Sequence, residues 1–137
     1  MIRTAAIAIA LLAAAPALAS DPASLALTFD TGASTGAVMV ALYDEASYGG
    51  GQPVRSARVD VAAGQRTVAF EGLPAGEYGV KAFHDLNGNG RMDANPFGMP
   101  TEPYAFSNNA RGNMGPASWE RARFEVSGET AQTISIR

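Results

Sequence analysis

No cysteine occurs in the 137 residues. A disulfide framework and a thiolate metal site are therefore excluded, and stability must come from a core or a bound hard cation. Histidine and tryptophan occur once each, as His84 and Trp119. One imidazole cannot build a zinc site, which needs several nitrogen or sulfur ligands. There is no basic excess either: ten Lys and Arg stand against thirteen Asp and Glu, a formal charge of −3. The absence of a basic stripe excludes nucleic acid as a partner, while a mildly acidic chain suits cations. Beyond the first nineteen residues no apolar run approaches the ~20 residues needed to span a bilayer. No transmembrane segment is expected in the mature chain.

What is present begins with a leader. Arg3 supplies a short positive region, an apolar run follows from Ala5 to Ala15, and Ala17-Leu18-Ala19 offers a small-x-small cleavage site. Residues 1–19 are expected to be a signal peptide and 20–137 the mature domain, in the periplasm or the medium. Loss of Arg3 leaves nine basic against thirteen acidic side chains, a formal −4. Removing 19 residues from 137 leaves 118, enough for one domain with one core.

That domain alternates apolar and polar residues with a period of two, which places one face of a strand inward and one outward. The runs are Leu25 to Phe29, Val38 to Tyr43, Ala57 to Val61, Val68 to Glu71, Tyr78 to Ala82, Arg121 to Val126 and Thr133 to Ile136. About seven short strands separated by Gly, Pro and Asn predict an all-β fold, a single antiparallel sandwich of immunoglobulin-like or prealbumin-like wiring. Gly49 to Pro53 reads as a mobile loop, and Ala63-Gly64 as a tight hairpin turn between the third and fourth strands. No helical stripe is visible in the mature chain. Residues 86–118 resist the strand pattern. Phe97, Tyr104, Phe106 and Trp119 predict that this long loop is ordered, with a short strand near Tyr104 to Ser107.

The loop opens on His84-Asp85-Leu86-Asn87-Gly88-Asn89-Gly90-Arg91-Met92-Asp93. Asp85, Asn87 and Asn89 place oxygen-bearing side chains at alternate positions, and Gly90 permits the bend that follows. This is the spacing of a calcium loop, because a hard cation needs several convergent oxygens. Arg91 would lend its backbone carbonyl and Asp93 a direct or water-mediated ligand. Pro96 stands where an EF-hand needs a bidentate Glu, and helices do not flank the loop, so an EF-hand is excluded. Glu102 is the nearest carboxylate that could close the site. Two aspartates and two asparagines predict weak calcium binding, with a Kd on the order of 10⁻⁴–10⁻³ M. The competing reading is a polar turn made of residues that tolerate positive φ.

His84 shares the inward parity of Tyr78, Val80 and Ala82, and is expected to be a structural hydrogen-bonding residue. Asp85 lies on the opposite face of the strand and cannot orient that imidazole. Ser107 and Ser118 lack the strand-turn-helix elbow of a nucleophilic serine. No catalytic residue is therefore assigned.

The segments Leu73-Pro74-Ala75-Gly76-Glu77-Tyr78, His84 to Asp93, Gly98-Met99-Pro100-Thr101-Glu102, Phe106-Ser107-Asn108-Asn109, Gly115-Pro116 and Phe124 resemble, in order and spacing, the bacterial domain-of-unknown-function family 2141. The resemblance covers nearly all of the mature chain and implies an exported bacterial protein of this size, with no activity attached. The turn from Leu73 to Tyr78 is also similar to that of prealbumin-like sandwiches, including carboxypeptidase regulatory-like domains and the B-type repeats of bacterial adhesins. Some of those repeats carry Asp-x-Asn-x-Asp-Gly loops; here Asn89 replaces the second Asp. This second similarity implies a stalk or accessory module rather than an enzyme.

The leading expectation is an exported, non-catalytic module whose long loop is ordered by calcium. The alternative is a binding module for a glycan, peptide or envelope protein, using the loop from Tyr104 to Trp119. Solvent-facing aromatics would favour it. A hydrolase comes last and would need His84 in an open pocket beside a carboxylate or hydroxyl.

Overall fold

Period-two alternation is realised as strands in the computed structural model, which describes residues 22–97, 100–112 and 115–136. The expected signal peptide, 1–19, lies outside the described residues. Among these residues eight strands form: β1 (Ala23–Thr31), β2 (Ala37–Tyr43), β3 (Arg55–Asp60), β4 (Thr67–Leu73), β5 (Gly76–Asp85), β6 (Tyr104–Phe106), β7 (Phe124–Val126) and β8 (Glu129–Ile136). One sheet has the order β4-β1-β8. The other follows β3-β2-β5-β6, with β7 also paired to β5. This is an all-β sandwich, and the seven alternating runs correspond to seven of its strands. The short strand expected near Tyr104 is the eighth.

Three features depart from the expectation. First, β1 and β8 pair in parallel, Ser24 opposite Glu129 through Thr31 opposite Ile136, whereas the other pairs are antiparallel. The chain crosses from β7 to the other sheet through Ser127-Gly128 and enters β8 alongside β1, where Ser24 N–H bonds Gly128 O at 2.7 Å. Second, the tight turn at Ala63-Gly64 exists, with Gly64 N–H on Val61 O at 3.0 Å. It is a corner and not a hairpin, because it joins β3 of one sheet to β4 of the other. Third, the strand expected from Arg121 begins at Phe124. Trp119–Ala122 forms instead a single helical turn, α2, after Ser118.

A second helical turn, Glu45–Tyr48 (α1), precedes the glycine-rich loop. Asp44 and Ser47 cap it reciprocally: Ser47 N–H bonds Asp44 Oδ1 at 2.9 Å and Asp44 N–H bonds Ser47 Oγ at 3.2 Å. Such a capping box satisfies donors that a four-residue helix leaves open.

The core lies between the sheets. Leu25, Leu27 and Phe29 of β1 and Ile134 and Ile136 of β8 meet Val38, Val40 and Leu42 of β2 and Val80 of β5, all buried. A buried Leu truncated to Ala in such a core costs about 2–5 kcal/mol. The Leu73-to-Tyr78 turn owes its sequence to Tyr78, whose hydroxyl reaches back to Pro74 O at 2.6 Å and fixes the corner between β4 and β5. Among the described residues no helix is long and apolar enough to cross a membrane.

Candidate functional site

β5 is longer than its alternation indicated and delivers both His84 and Asp85 before the long loop starts. His84 is fully buried on the core side. Its Nε2 donates to Thr35 O at 2.6 Å, and its backbone N–H bonds Pro103 O at 2.8 Å. Nδ1 is buried without a partner among the described residues. Asp85 is 2% exposed. One of its oxygens, Oδ2, accepts the Gly90 N–H at 2.7 Å, and the other, Oδ1, is buried without a partner among the described residues.

Beyond Asp85 the chain folds back twice. Gly88 and Gly90 adopt φ of 74° and 75°, a region that glycine enters without the steric cost of a Cβ. Asn87 Oδ1 accepts Asn89 N–H at 3.2 Å and Asn89 Oδ1 accepts Arg91 N–H at 2.9 Å, two successive Asx turns. The amide nitrogens of the same side chains converge on Asp93. Asn87 Nδ2 donates to Oδ2 at 2.6 Å and Asn89 Nδ2 to Oδ1 at 2.8 Å. These two donors, with a smaller contribution at Glu102, hold the Asp93 carboxyl below its usual range. Arg91 is exposed.

Glu102, expected as the carboxylate that closes a cation site, holds backbone N–H groups here. It is 6% exposed; Oε2 accepts Leu86 N–H at 2.6 Å and Oε1 accepts Asp93 N–H at 3.0 Å. One carboxylate thus spans both ends of the turn. Asp93 O accepts Thr101 N–H at 2.8 Å, and Ala94 bridges Pro100, so the segment doubles back as an irregular hairpin. Asp85, Asn87, Asn89, Asp93 and Glu102 are thereby brought into one hydrogen-bonded unit.

The second half of the long loop contains a junction that alternation did not reveal. β6 stops at Phe106, opposite Lys81. Ser107, fully buried, continues the ladder with its side chain: Oγ accepts Val80 N–H at 2.9 Å and donates to Ala122 O. Asn108 and Asn109 both take positive φ, 61° and 51°. Asn108 Nδ2 donates to Arg121 O and Arg123 O, its Oδ1 accepts from Gln132 Nε2, and Asn109 Oδ1 accepts Ser135 N–H. Ser107-Asn108-Asn109 ties β5, α2 and the outer edge of β8 together, so an edge that would otherwise present free backbone groups is covered. The consecutive asparagines, tolerant of left-handed backbone, were the available signal.

The five-stranded sheet also carries an apolar outer face. Register aligns Arg58, Met39, Phe83 and Tyr104 in one cross-strand row, and Ser56, Ala41, Lys81 and Phe106 in the next. The long loop adds Met92 and Pro100 from its first half and Gly112, Gly115 and Pro116 from its second. The result is a groove of about 1140 Å³. Tyr104 is 49% exposed, whereas Phe106 is buried. Phe97, at 89% exposed, lies apart from the groove lining.

Lys81 stands in this groove between rings. Its Nζ lies 4.8 Å from the Tyr43 centroid and 4.3 Å from that of Tyr48, and donates to Tyr48 O at 2.6 Å. Burial lowers its pKa from the ordinary lysine value. Tyr48 is anchored in turn by its hydroxyl on Ala117 O at 2.7 Å and by Trp119, 5.5 Å away between centroids. Both rings rest over Gly79, the outward position of β5 where a side chain is missing.

Fold and site together define an all-β, two-sheet sandwich with a clasped Asp/Asn loop and a grooved outer sheet face. The chain belongs to the family described as "Uncharacterized protein conserved in bacteria (DUF2141)", whose model matches residues 30–135 and so takes in both the loop and the groove. No curated protein and no solved structure matches it.

Proposed function

We propose that the protein is an exported, non-catalytic binding module that holds an apolar ligand on the outer face of its five-stranded sheet. The observation that carries this reading is the groove itself. An antiparallel sheet with one face in the core usually turns its other face to water. Here that face bears Met39, Ala41, Phe83, Tyr104 and Phe106, and residues of the long loop line the same groove. Its volume of about 1140 Å³ lies just above the ~300–1,000 Å³ usual for small-ligand sites. Export rests on the leader pattern of residues 1–19. The non-catalytic reading rests on His84, which is sealed from solvent and committed to Thr35. The test is binding of the neutral apolar dye Nile red. Its fluorescence should rise with the wild-type protein and not with Met39→Glu, which sets a carboxylate in the floor; equal signals from two folded proteins would sink the reading.

A second reading concerns the Asp/Asn loop, and Asp85 Oδ1 favours it. A buried carboxylate oxygen without a donor is costly unless a cation or proton meets it. Oδ2 already holds Gly90, so the loop is bent around a free oxygen. Calcium would take Asp85, the carbonyl of Arg91 and Asp93, with Asn87 and Asn89 turning their amides so that oxygen replaces nitrogen; Glu102 would stay as the backbone clasp or add a lone pair. The ion's role is structural, fixing the first half of the long loop and stabilising the fold by mass action. A melting temperature unchanged between EDTA and millimolar calcium, with magnesium as control, disposes of this reading.

A further inference from the structure

We infer that the groove takes an anionic amphiphile, a single-chain alkyl carboxylate, with its chain along Met39, Phe83 and Tyr104 and its head group on the Lys81 ammonium. This rests on the reading of the groove as a binding site and names the chemical class of its ligand. Charge is the first ground. Of the described residues lining the groove only Arg58 and Lys81 are charged, and both are cationic, although the chain as a whole carries a formal −3. An apolar groove with cations and no carboxylate selects against amines and for anions.

The second ground is the state of Lys81. An ammonium has three donors, and the Tyr48 carbonyl takes one. Among the described residues no carboxylate lies within ion-pair distance of it; the ion pairs present are those of Arg123 with Glu77 and Glu120. The rings of Tyr43 and Tyr48 attract the charge and fix its place, yet leave its other donors to a ligand. Partial burial strengthens this preference, since a partly desolvated ammonium gains more from a counter-ion than an exposed one.

The third ground is geometry. Phe83 is the direct cross-strand neighbour of both Met39 and Tyr104, so these three side chains form one continuous apolar row. Lys81 lies two residues from Phe83 on the same face of β5, displaced toward Tyr43. The apolar row and the cation are adjacent but distinct, which is the arrangement a chain with one charged end requires.

The experiment compares dodecanoate, dodecanol and dodecylamine by calorimetric titration below their micelle concentrations. Wild-type protein should bind dodecanoate at least about tenfold more tightly than dodecylamine, a comparison that needs no variant. Lys81→Met, which keeps an apolar stem, should weaken dodecanoate by about 10- to 100-fold, the weight of a charge-assisted hydrogen bond, and leave dodecanol unchanged. Equal affinity for the anion and the amine overturns the inference while the groove stands as an apolar site. Failure to bind all three overturns both. Binding to vesicles of an anionic phospholipid without binding to dodecanoate also overturns it, because the surface would then read a membrane rather than a single chain.

Discussion

Replacing Glu102 with Gln tests whether the long loop is held by a carboxylate acting on backbone amides. The side chain keeps its shape, but one of its two oxygens becomes an NH₂ group. Of the two N–H groups it now accepts, from Leu86 at 2.6 Å and Asp93 at 3.0 Å, one would face another donor. A buried N–H without an acceptor costs about 1–3 kcal/mol, and the surviving bond falls from a charge-assisted one, about 1.5–3 kcal/mol, to a neutral one of about 0.5–1.5 kcal/mol. Relief from desolving a carboxylate offsets part of this. The net loss should be about 2 kcal/mol. At about 2.1 cal/mol/K per residue, a domain of this size has an unfolding entropy near 0.25 kcal/mol/K, so the melting temperature should fall by about 8 °C. The assay is thermal unfolding followed by circular dichroism, in EDTA. A fall below about 2 °C in EDTA refutes the clasp. A fall seen only with calcium present would make Glu102 a metal ligand and nothing more.

Three other outcomes are expected. Ser107→Ala strands the Val80 N–H and the Ala122 carbonyl, both buried, and should cost about 2–4 kcal/mol by denaturant titration; an unchanged midpoint would mean that water replaces the hydroxyl. Gly79→Ala would place a Cβ 3.0 Å from the Tyr48 ring and 3.2 Å from Trp119, costing about 1–3 kcal/mol by overpacking and changing the Trp119 fluorescence; a neutral effect would show that the rings shift freely. Asp93, whose folded pKa is depressed, stabilises the fold fully above its unfolded value near 3.8 and loses that contribution as pH falls through the lower folded value. The gap in melting temperature between wild type and Asp93→Asn should therefore be constant above about pH 5 and shrink below about pH 4, and a gap independent of pH would refute the assignment.

The strands were legible because burial on one face imposes a period of two on Leu25, Leu27 and Phe29 or on Val38, Val40 and Leu42 whatever their partners. Parity also placed His84 inward correctly. The Asp/Asn loop was legible for a related reason: Asx turns and left-handed glycines are local, and Asp85 to Asp93 contains every group needed to bend it. Glu102 was singled out by nearness in sequence as a cation ligand, and its contacts with two backbone amides needed the folded segment to appear.

Residue order by itself determined which side chains share a face, where the turns fall and that residues 85–93 bend back on themselves. It did not determine that β1 and β8 run parallel, that the Ala63-Gly64 turn changes sheets, or that Ser107 continues the ladder where β6 ends at Phe106. Those depend on which strand occupies each place in the sandwich, and strand pairing is settled by burial over long chain separations that no local pattern encodes. The groove belongs to the same class. Met39, Phe83 with Lys81, and Tyr104 read as outward positions of three separate strands, and only the register of two pairings makes them one surface.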